Sequence, residues 1–279
     1  MDQHKDASKG TTLDSFGASV IADPITKLPF EITNKNERGV IDLRVYLKNS
    51  PGYSLWMDGQ NEFEKILKAG GAIEENSLTG FRNEIEYDRV VYEFFNISGS
   101  VLDVGGGVGT LREFLNPTVD FVSVDPHINC FNEIPAGKME AYACLKEECN
   151  FIPGTAEFLP ITTESFDWVH MRSMLDHVQV PDLALIEARR VLKGNGRLLV
   201  GMLVEGGKSG RRSFDEKLRE LVKSFLSLFL QRFNDHHIWH PTYIGLVKLL
   251  NDNGFEVTRE FWQPKWRNKV VYLEAKVKK

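Results

Sequence analysis

Long apolar runs are missing from this chain of 279 residues, and no 18-residue stretch is apolar enough to span a bilayer. The start, Met1-Asp2-Gln3-His4-Lys5-Asp6, lacks the apolar core of an export signal, so a cytoplasmic protein with no membrane partner is expected. Cysteine is scarce. Cys130, Cys144 and Cys149 are odd in number and lack paired metal spacing, which excludes a disulfide framework. Cys144 and Cys149 are close enough for a soft metal, but ordinary free thiols are the better reading. Excess positive charge is absent as well. With 34 Lys and Arg against 39 Asp and Glu, the net charge of -5 leaves no electrostatic footprint for nucleic acid. The basic end (Lys265, Arg267, Lys269, Lys276, Lys278, Lys279) alternates with Val271, Leu273, Ala275 and Val277, as a strand with one solvated face does. What the chain does have is a hydrophobic content of 42%, enough for one good core with an appendage.

Its most informative stretch is Val101-Leu102-Asp103-Val104-Gly105-Gly106-Gly107-Val108-Gly109-Thr110. A buried strand ends in an acid and runs into glycines at alternate positions, where the backbone can turn and a ligand can approach without meeting a Cβ. A helix starting near Thr110 would point its positive end over the loop. The dinucleotide pattern Gly-x-Gly-x-x-Gly fails here. Starting it at Gly105 puts Thr110 at the third glycine, and starting it at Gly107 puts Arg112 there. The pattern present is Asp-x-Gly-x-Gly-x-Gly. A carboxylate beside the loop repels a pyrophosphate and suits a ligand carrying an ammonium and a sulfonium. A plain strand-to-helix turn remains the competing reading of the loop alone.

The segments that follow favour the ligand. Phe121-Val122-Ser123-Val124-Asp125-Pro126 is a second short strand ending in an acid, about 20 residues past Gly105, the spacing that sets a carboxylate against the hydroxyls of a ribose. Phe151 to Pro160 and Ser165 to Met171 read as a third strand with its loop and a fourth strand. Glu187 to Val200 reads as a helix, a tight turn and a fifth strand.

In this order and spacing the motifs resemble those of the class I, Rossmann-like S-adenosylmethionine (SAM) methyltransferases, and are similar to the small-molecule enzymes of ubiquinone and menaquinone biosynthesis. The resemblance covers residues 80 to 205 strongly and continues weakly beyond. It implies SAM as cofactor, with no phosphate to neutralise, held by Asp103, Gly105, Gly106, Gly107 and Gly109. It also implies Asp125 with Pro126 at the ribose, Thr155, Ala156 and Glu157 at the adenine, and Met171 at the floor of the site. Two departures stand out. Thr155 replaces the usual Asp of the adenine loop, shifting that contact to the Ala156 backbone and Glu157. Gly194-Asn195-Gly196 replaces Pro-Gly-Gly, and Asn is expected to hold the turn by tolerating the left-handed conformation.

The fold class expected is α/β, a Rossmann-like seven-stranded mixed sheet with an antiparallel last strand and helices on both faces. Residues 1–55 are expected to form an N-terminal extension, polar and mobile over the first 20. Its Asp23 and Thr26 stand where a zinc ribbon would carry cysteines, so a plain extension or a metal-free ribbon is expected there. Residues 56–279 are expected to form the methyltransferase domain. Residues 50–77 are an aromatic-rich lead-in to a helix, and Glu84 to Phe95 is an amphipathic helix. Residues 206–245 are expected to insert a helical segment. Ser213 to Glu216 has capping-box spacing, and Leu218, Leu221, Val222, Phe225 and Phe229 make an apolar face. That face fits packing on the sheet, a homodimer contact, or a lid over the acceptor hinged at Gly206-Gly207-Lys208-Ser209-Gly210, which is not a phosphate loop. Tyr243 to Asn251 is a further helix, and Phe255 to Thr258 with Val270 to Val277 form an antiparallel pair.

The chemistry implied is displacement at a methyl carbon with a small-molecule acceptor. His177 is the candidate base, since imidazole titrates near neutrality, with Asp176 orienting it or binding acceptor. A His that merely caps the next helix is the bland alternative. Arg172 is open to a cofactor or acceptor carboxylate, or to a surface salt bridge. His236, His237 and His240 are placed to line the acceptor pocket. Their spacing invites zinc, but Pro241 and the lack of a nearby Glu argue against it, so no metal is expected. O- or N-methylation of a small metabolite is the expectation. A methyltransferase of RNA or protein, or a non-catalytic SAM-binding scaffold, are the alternatives.

Overall fold

The computed structural model describes residues 13–29, 42–50, 52–68, 77–132, 134–210, 237, 239–264 and 269–278. Seven strands form one sheet: β1 (Ser100–Val104), β2 (Asp120–Asp125), β3 (Phe151–Pro153), β4 (Phe166–Arg172), β5 (Leu192–Leu203), β6 (Phe255–Trp262) and β7 (Val270–Val277). Their order is β3-β2-β1-β4-β5-β7-β6. The first five run parallel, and β7 lies antiparallel between β5 and β6. The order reverses between β1 and β4, and ligands of open parallel sheets bind beyond the carboxyl ends of strands at such a switch.

Alternation along each strand divides the molecule into two cores. Leu102, Val104, Val169, Met171, Leu198 and Val200 point to the face covered by α1 (Ser15–Val20), α5 (Pro181–Val191) and α6 (Tyr243–Asp252). Val101, Trp168, Leu199 and Tyr272 point the other way, against Val91, Tyr92 and Phe95 of α3 (Leu78–Phe95). Helices therefore cover both faces, as expected from buried strands of this pattern. Two further helices, α2 (Tyr53–Lys68) and α4 (Ala136–Ala141), precede β1 and β3. Ser77 opens α3 by accepting from the Gly80 amide, and Asn96 closes it in the left-handed conformation.

The helix expected after the glycine loop is only a five-residue 3-10 turn, Thr110–Phe114. Pro117 follows closely, disfavours helical backbone at Asn116 and leaves no room for a longer helix. A turn this short carries little macrodipole and points little positive field over the loop. The Gly194-Asn195-Gly196 turn also differs from expectation. It is a bulge within β5, where Leu192 pairs Phe166 and Arg197 pairs Trp168, and none of its three residues has positive φ.

The N-terminal segment belongs to the main core. Val20, Ile21 and Leu43 are buried in it, and Ile21 bridges to Ile161. Asp23 accepts from the amides of Ile25 and Thr26, closing a tight turn where a ribbon would need sulfur. The apolar helix expected over 213–233 lies outside the described residues, as do His236 and Lys265 to Asn268. Among the described residues, no helix is long and apolar enough to cross a membrane.

Candidate functional site

Asp103 of β1 pairs in register with Ser123 of β2 and with His170 of β4, so three polar side chains form a row on the α3 face. This row carries the glycine loop. Ser123 donates its hydroxyl to the Gly107 carbonyl at 3.0 Å. His170 Nδ1 donates to Asp103 Oδ1 at 2.7 Å, and a carboxylate that only accepts thereby fixes the tautomer. The Tyr92 hydroxyl then donates to His170 Nε2 at 3.2 Å. Burial pushes the Tyr92 phenol well up, so it keeps that proton. A Cβ on Gly106 would collide with the Asp103 carboxylate, which lies directly beneath it. Asp103 is 4% exposed and committed to His170. The structure makes it the pillar of the loop, whereas the sequence placed it against the ligand.

Above this row the loop turns through left-handed backbone at Gly105, Gly107 and Gly109. The Gly105 amide donates to the Val124 carbonyl at 2.8 Å and the Gly107 amide to Asp125 Oδ2 at 3.0 Å. Among the described residues a Cβ on Gly107 would meet nothing closer than that carboxylate, at 4.0 Å, so the space in front of Gly107 is open on that side. Asp125 Oδ1 accepts from the His127 amide at 2.8 Å. Each carboxylate oxygen has a second lone pair, so Asp125 retains capacity for two hydroxyl donors. Burial raises its pKa, and the two amides oppose that rise.

The residues expected at the adenine are largely engaged elsewhere. Thr155 donates its hydroxyl to the Val45 carbonyl at 2.8 Å and is almost wholly buried. Glu157 Oε1 accepts from the amides of Gln179 at 2.7 Å and Val180 at 3.3 Å, capping the start of α5 in place of a side-chain cap. Met171 is fully buried in the α5-side core and can offer a ligand only its backbone. Ala156 lies between these groups, nearly buried. The segment 42–50 crosses the same edge. The Leu43 amide donates to the Pro153 carbonyl, and Arg44 Nη1 to the Pro126 carbonyl at 3.0 Å. No motif in the sequence pointed to this strap, because backbone-directed contacts leave little trace in residue type.

The far end of β4 gathers the acceptor-side candidates. Met174 packs over Gly105, tying the segment after β4 to the loop. Asp176 Oδ1 lies 4.0 Å from His177 Nε2, beyond hydrogen-bond range. His237 Nε2 lies 3.6 Å from Asp176 Oδ2, and the His177 and His237 rings stand 4.4 Å apart. His240 stands 5.7 Å from His237 by ring centres and 4.0 Å from Glu205 by nearest atoms. The acids absent near His240 in sequence are thus supplied by the ends of β4 and β5. Arg172 takes the salt-bridge alternative: it pairs with Asp88 of α3, whose other oxygen accepts from Gln263 Nε2 at 2.9 Å. The cysteines stay inert. Burial pushes the Cys144 thiol up to about 11 and the Cys149 thiol up to about 12.

A glycine elbow at the switch point, a carboxylate at the tip of the next strand and a mixed seven-stranded sheet narrow the choice, and comparison with known proteins narrows it further. Residues 102–200 match the family model for a methyltransferase domain. This part of the chain is similar to a methyltransferase domain. The chain is 34% identical over 101 residues to a demethylmenaquinone methyltransferase of Renibacterium salmoninarum, covering 36% of this chain and 39% of that protein. It is 32% identical over 183 residues to a mitochondrial ubiquinone biosynthesis O-methyltransferase of Candida albicans, covering 62% of this chain and 50% of the relative. The chain therefore spans about two-fifths and one-half of the lengths of these curated relatives. Among solved structures, the 1,6-didemethyltoxoflavin-N1-methyltransferase of Burkholderia thailandensis, crystallised with 1,6-didemethyltoxoflavin and S-adenosylhomocysteine, shares the fold of the methyltransferase domain. The TM-score is 0.54 and the identity 14%, over 85% of this chain and 94% of that one.

Proposed function

We propose that the chain transfers the methyl group of SAM to an oxygen or nitrogen atom of a small metabolite. The observation that carries this reading is the open space in front of Gly107, where a Cβ would meet among the described residues only the Asp125 carboxylate, at 4.0 Å. It fits a nucleoside without phosphates: Asp125 would accept the ribose hydroxyls, and the acid of the loop lies below, where it favours a cationic ligand. SAM supplies an electrophilic methyl group and a neutral thioether as leaving group. The protein's share is chiefly alignment, which can contribute roughly 7–11 kcal/mol.

Proton removal from a hydroxyl acceptor falls to the group after β4. In the metal-free chain His177 takes the proton, with Asp176 and His237 beside it. The relatives named for menaquinone and ubiquinone support a quinone-type or phenolic acceptor. The formal charge of -5 disfavours an RNA substrate.

Incubating the purified chain with tritium-labelled SAM and pools of phenols, amines, RNA and unlabelled protein tests the reading. Label is expected in a phenol or amine product. His177→Ala should lower turnover at least about tenfold while leaving SAM affinity within about twofold, since it removes a group acting in proton transfer and not in cofactor binding. Label found only in RNA or protein, or SAM bound with no turnover on any pool, contradicts the proposal. The second outcome would leave a non-catalytic scaffold.

A further inference from the structure

We infer that Asp176, His177 and His237 form a binding site for one divalent first-row transition-metal ion at the acceptor end of the methyltransferase domain. The site's existence follows from these residues, and its placement beside an acceptor rests on the proposed methyltransfer. One donor atom from each residue lies within 4.8 Å of the other two. Ligands bound to one such ion at about 2.0–2.2 Å stand roughly 3–4 Å from each other. The observed separations of 3.6 Å and 4.0 Å to the two carboxylate oxygens are already in that range.

A buried oxygen gives the independent reason to place a cation there. Asp176 is 9% exposed, and its Oδ1 is buried with no hydrogen-bond partner among the described residues. An unsatisfied buried carboxylate oxygen is costly, and a metal ion is one of the few groups that satisfies it between two imidazoles. The site is also held in place before any ion arrives. The His177 amide donates to the Met174 carbonyl at 3.0 Å, and Trp239 Nε1 donates to the Leu175 carbonyl at 2.9 Å. The Glu205 amide donates to the Pro241 carbonyl at 2.8 Å. The segment bearing His237 is thereby pinned to the ends of β4 and β5, and ordering entropy is settled on folding.

Two imidazoles with one carboxylate select Zn2+, Fe2+, Co2+ or Ni2+ over Mg2+ and Ca2+, which take oxygen ligands. Three protein ligands leave open positions, and both imidazoles are roughly two-fifths exposed, so these positions face outward. A hydroxyl acceptor coordinated there has its pKa lowered by the ion. Its proton passes to water, its oxygen lone pair forms the new bond to the methyl carbon, and the bond from that carbon to sulfur breaks with its electron pair returning to sulfur. In the loaded enzyme the ion, and not His177 acting as a base, is what activates the acceptor.

The full chain, stripped with a chelator, is titrated by calorimetry with Zn2+, with Mg2+ and with SAM in separate experiments, and its Co2+ adduct is read by visible absorption. The expected result is one Zn2+ per chain, no saturable Mg2+ uptake, and a Co2+ spectrum of nitrogen and oxygen ligation. His237→Gln and Asp176→Asn should each weaken Zn2+ binding by at least about tenfold while SAM binding persists. No saturable Zn2+ uptake, uptake unchanged in both variants, or a cobalt–thiolate charge-transfer band from the cysteines overturns the inference. A variant that fails to fold leaves the cobalt spectrum of the native chain to decide. Zinc binding without SAM binding would instead sink the methyltransfer reading and leave the metal site standing.

Discussion

Gly107→Val will raise the dissociation constant for SAM by about 100-fold or more, equivalent to about 2.7 kcal/mol, while the chain stays folded. Gly107 sits at φ +51, a left-handed conformation that costs a side-chain-bearing residue roughly 1–2 kcal/mol, and more when it is β-branched. The new side chain would enter the space in front of Asp125, where among the described residues only that carboxylate lies within 4 Å of its Cβ, chain neighbours apart. It therefore takes the place of ligand and displaces no core group. Gly106 makes the contrast. A side chain there strikes Asp103 and then Ser123 Oγ at 2.8 Å, so Gly106→Val should lose the fold of the loop itself. Calorimetry with SAM, alongside circular dichroism, separates the two. Unchanged affinity in Gly107→Val would remove the loop as the cofactor cradle.

His170→Leu will destabilise the domain by about 3 kcal/mol, because it leaves the Asp103 carboxylate buried with its charge unpaired. For a domain of this size that is a fall in melting temperature of about 6–12 °C. Both groups are nearly inaccessible, 2% exposed for His170 and 4% for Asp103, so water cannot replace the lost donor. SAM affinity should fall together with stability, since Asp103 supports Gly106 from below. Adding Asp103→Asn to the His170→Leu chain removes the stranded charge and should recover part of the loss, the non-additivity expected of two contacting groups. Equal melting temperatures for the wild-type and His170→Leu chains would show that the row beneath the loop carries no strain.

Much of the fold was legible in sequence because the strands are short, apolar and separated by strong punctuation. Val101 to Val104 and Phe121 to Val124 lead into a glycine or an acid, and Gly254 sets off the last strand pair. The order of motifs placed a mixed seven-stranded sheet with an antiparallel pair at one edge, and the sheet has both, although its strand order came only from the structure. What was not legible falls into two kinds. Residue type alone does not say which group a side chain will choose, so Glu157 read as an adenine contact, yet it caps α5. Likewise Thr155 holds the strap at Val45. The second kind is juxtaposition across the sheet. Asp103 and His170 are 67 residues apart, and only the register of β1 with β4 brings them together. Glu205 and His240, or Asp176 and His237, meet past the ends of β5 and β4 because Trp239 and Pro241 are hydrogen-bonded there. A search for a nearby Glu in sequence could not find them. The short turn after Thr110 was a different failure, in which the helix signal was read without the stop imposed by Pro117.

The central claim is that the open space between Gly107 and the tip of β2 receives the adenosyl part of SAM. A crystal structure of the chain grown with S-adenosylhomocysteine tests it most directly. The ribose hydroxyls should lie within hydrogen-bond distance of the Asp125 carboxylate, with the sulfur on the side of Met174 to His177. Density for the ligand anywhere else, or a dinucleotide whose pyrophosphate rests on the amides of Gly105 to Gly109, would contradict it.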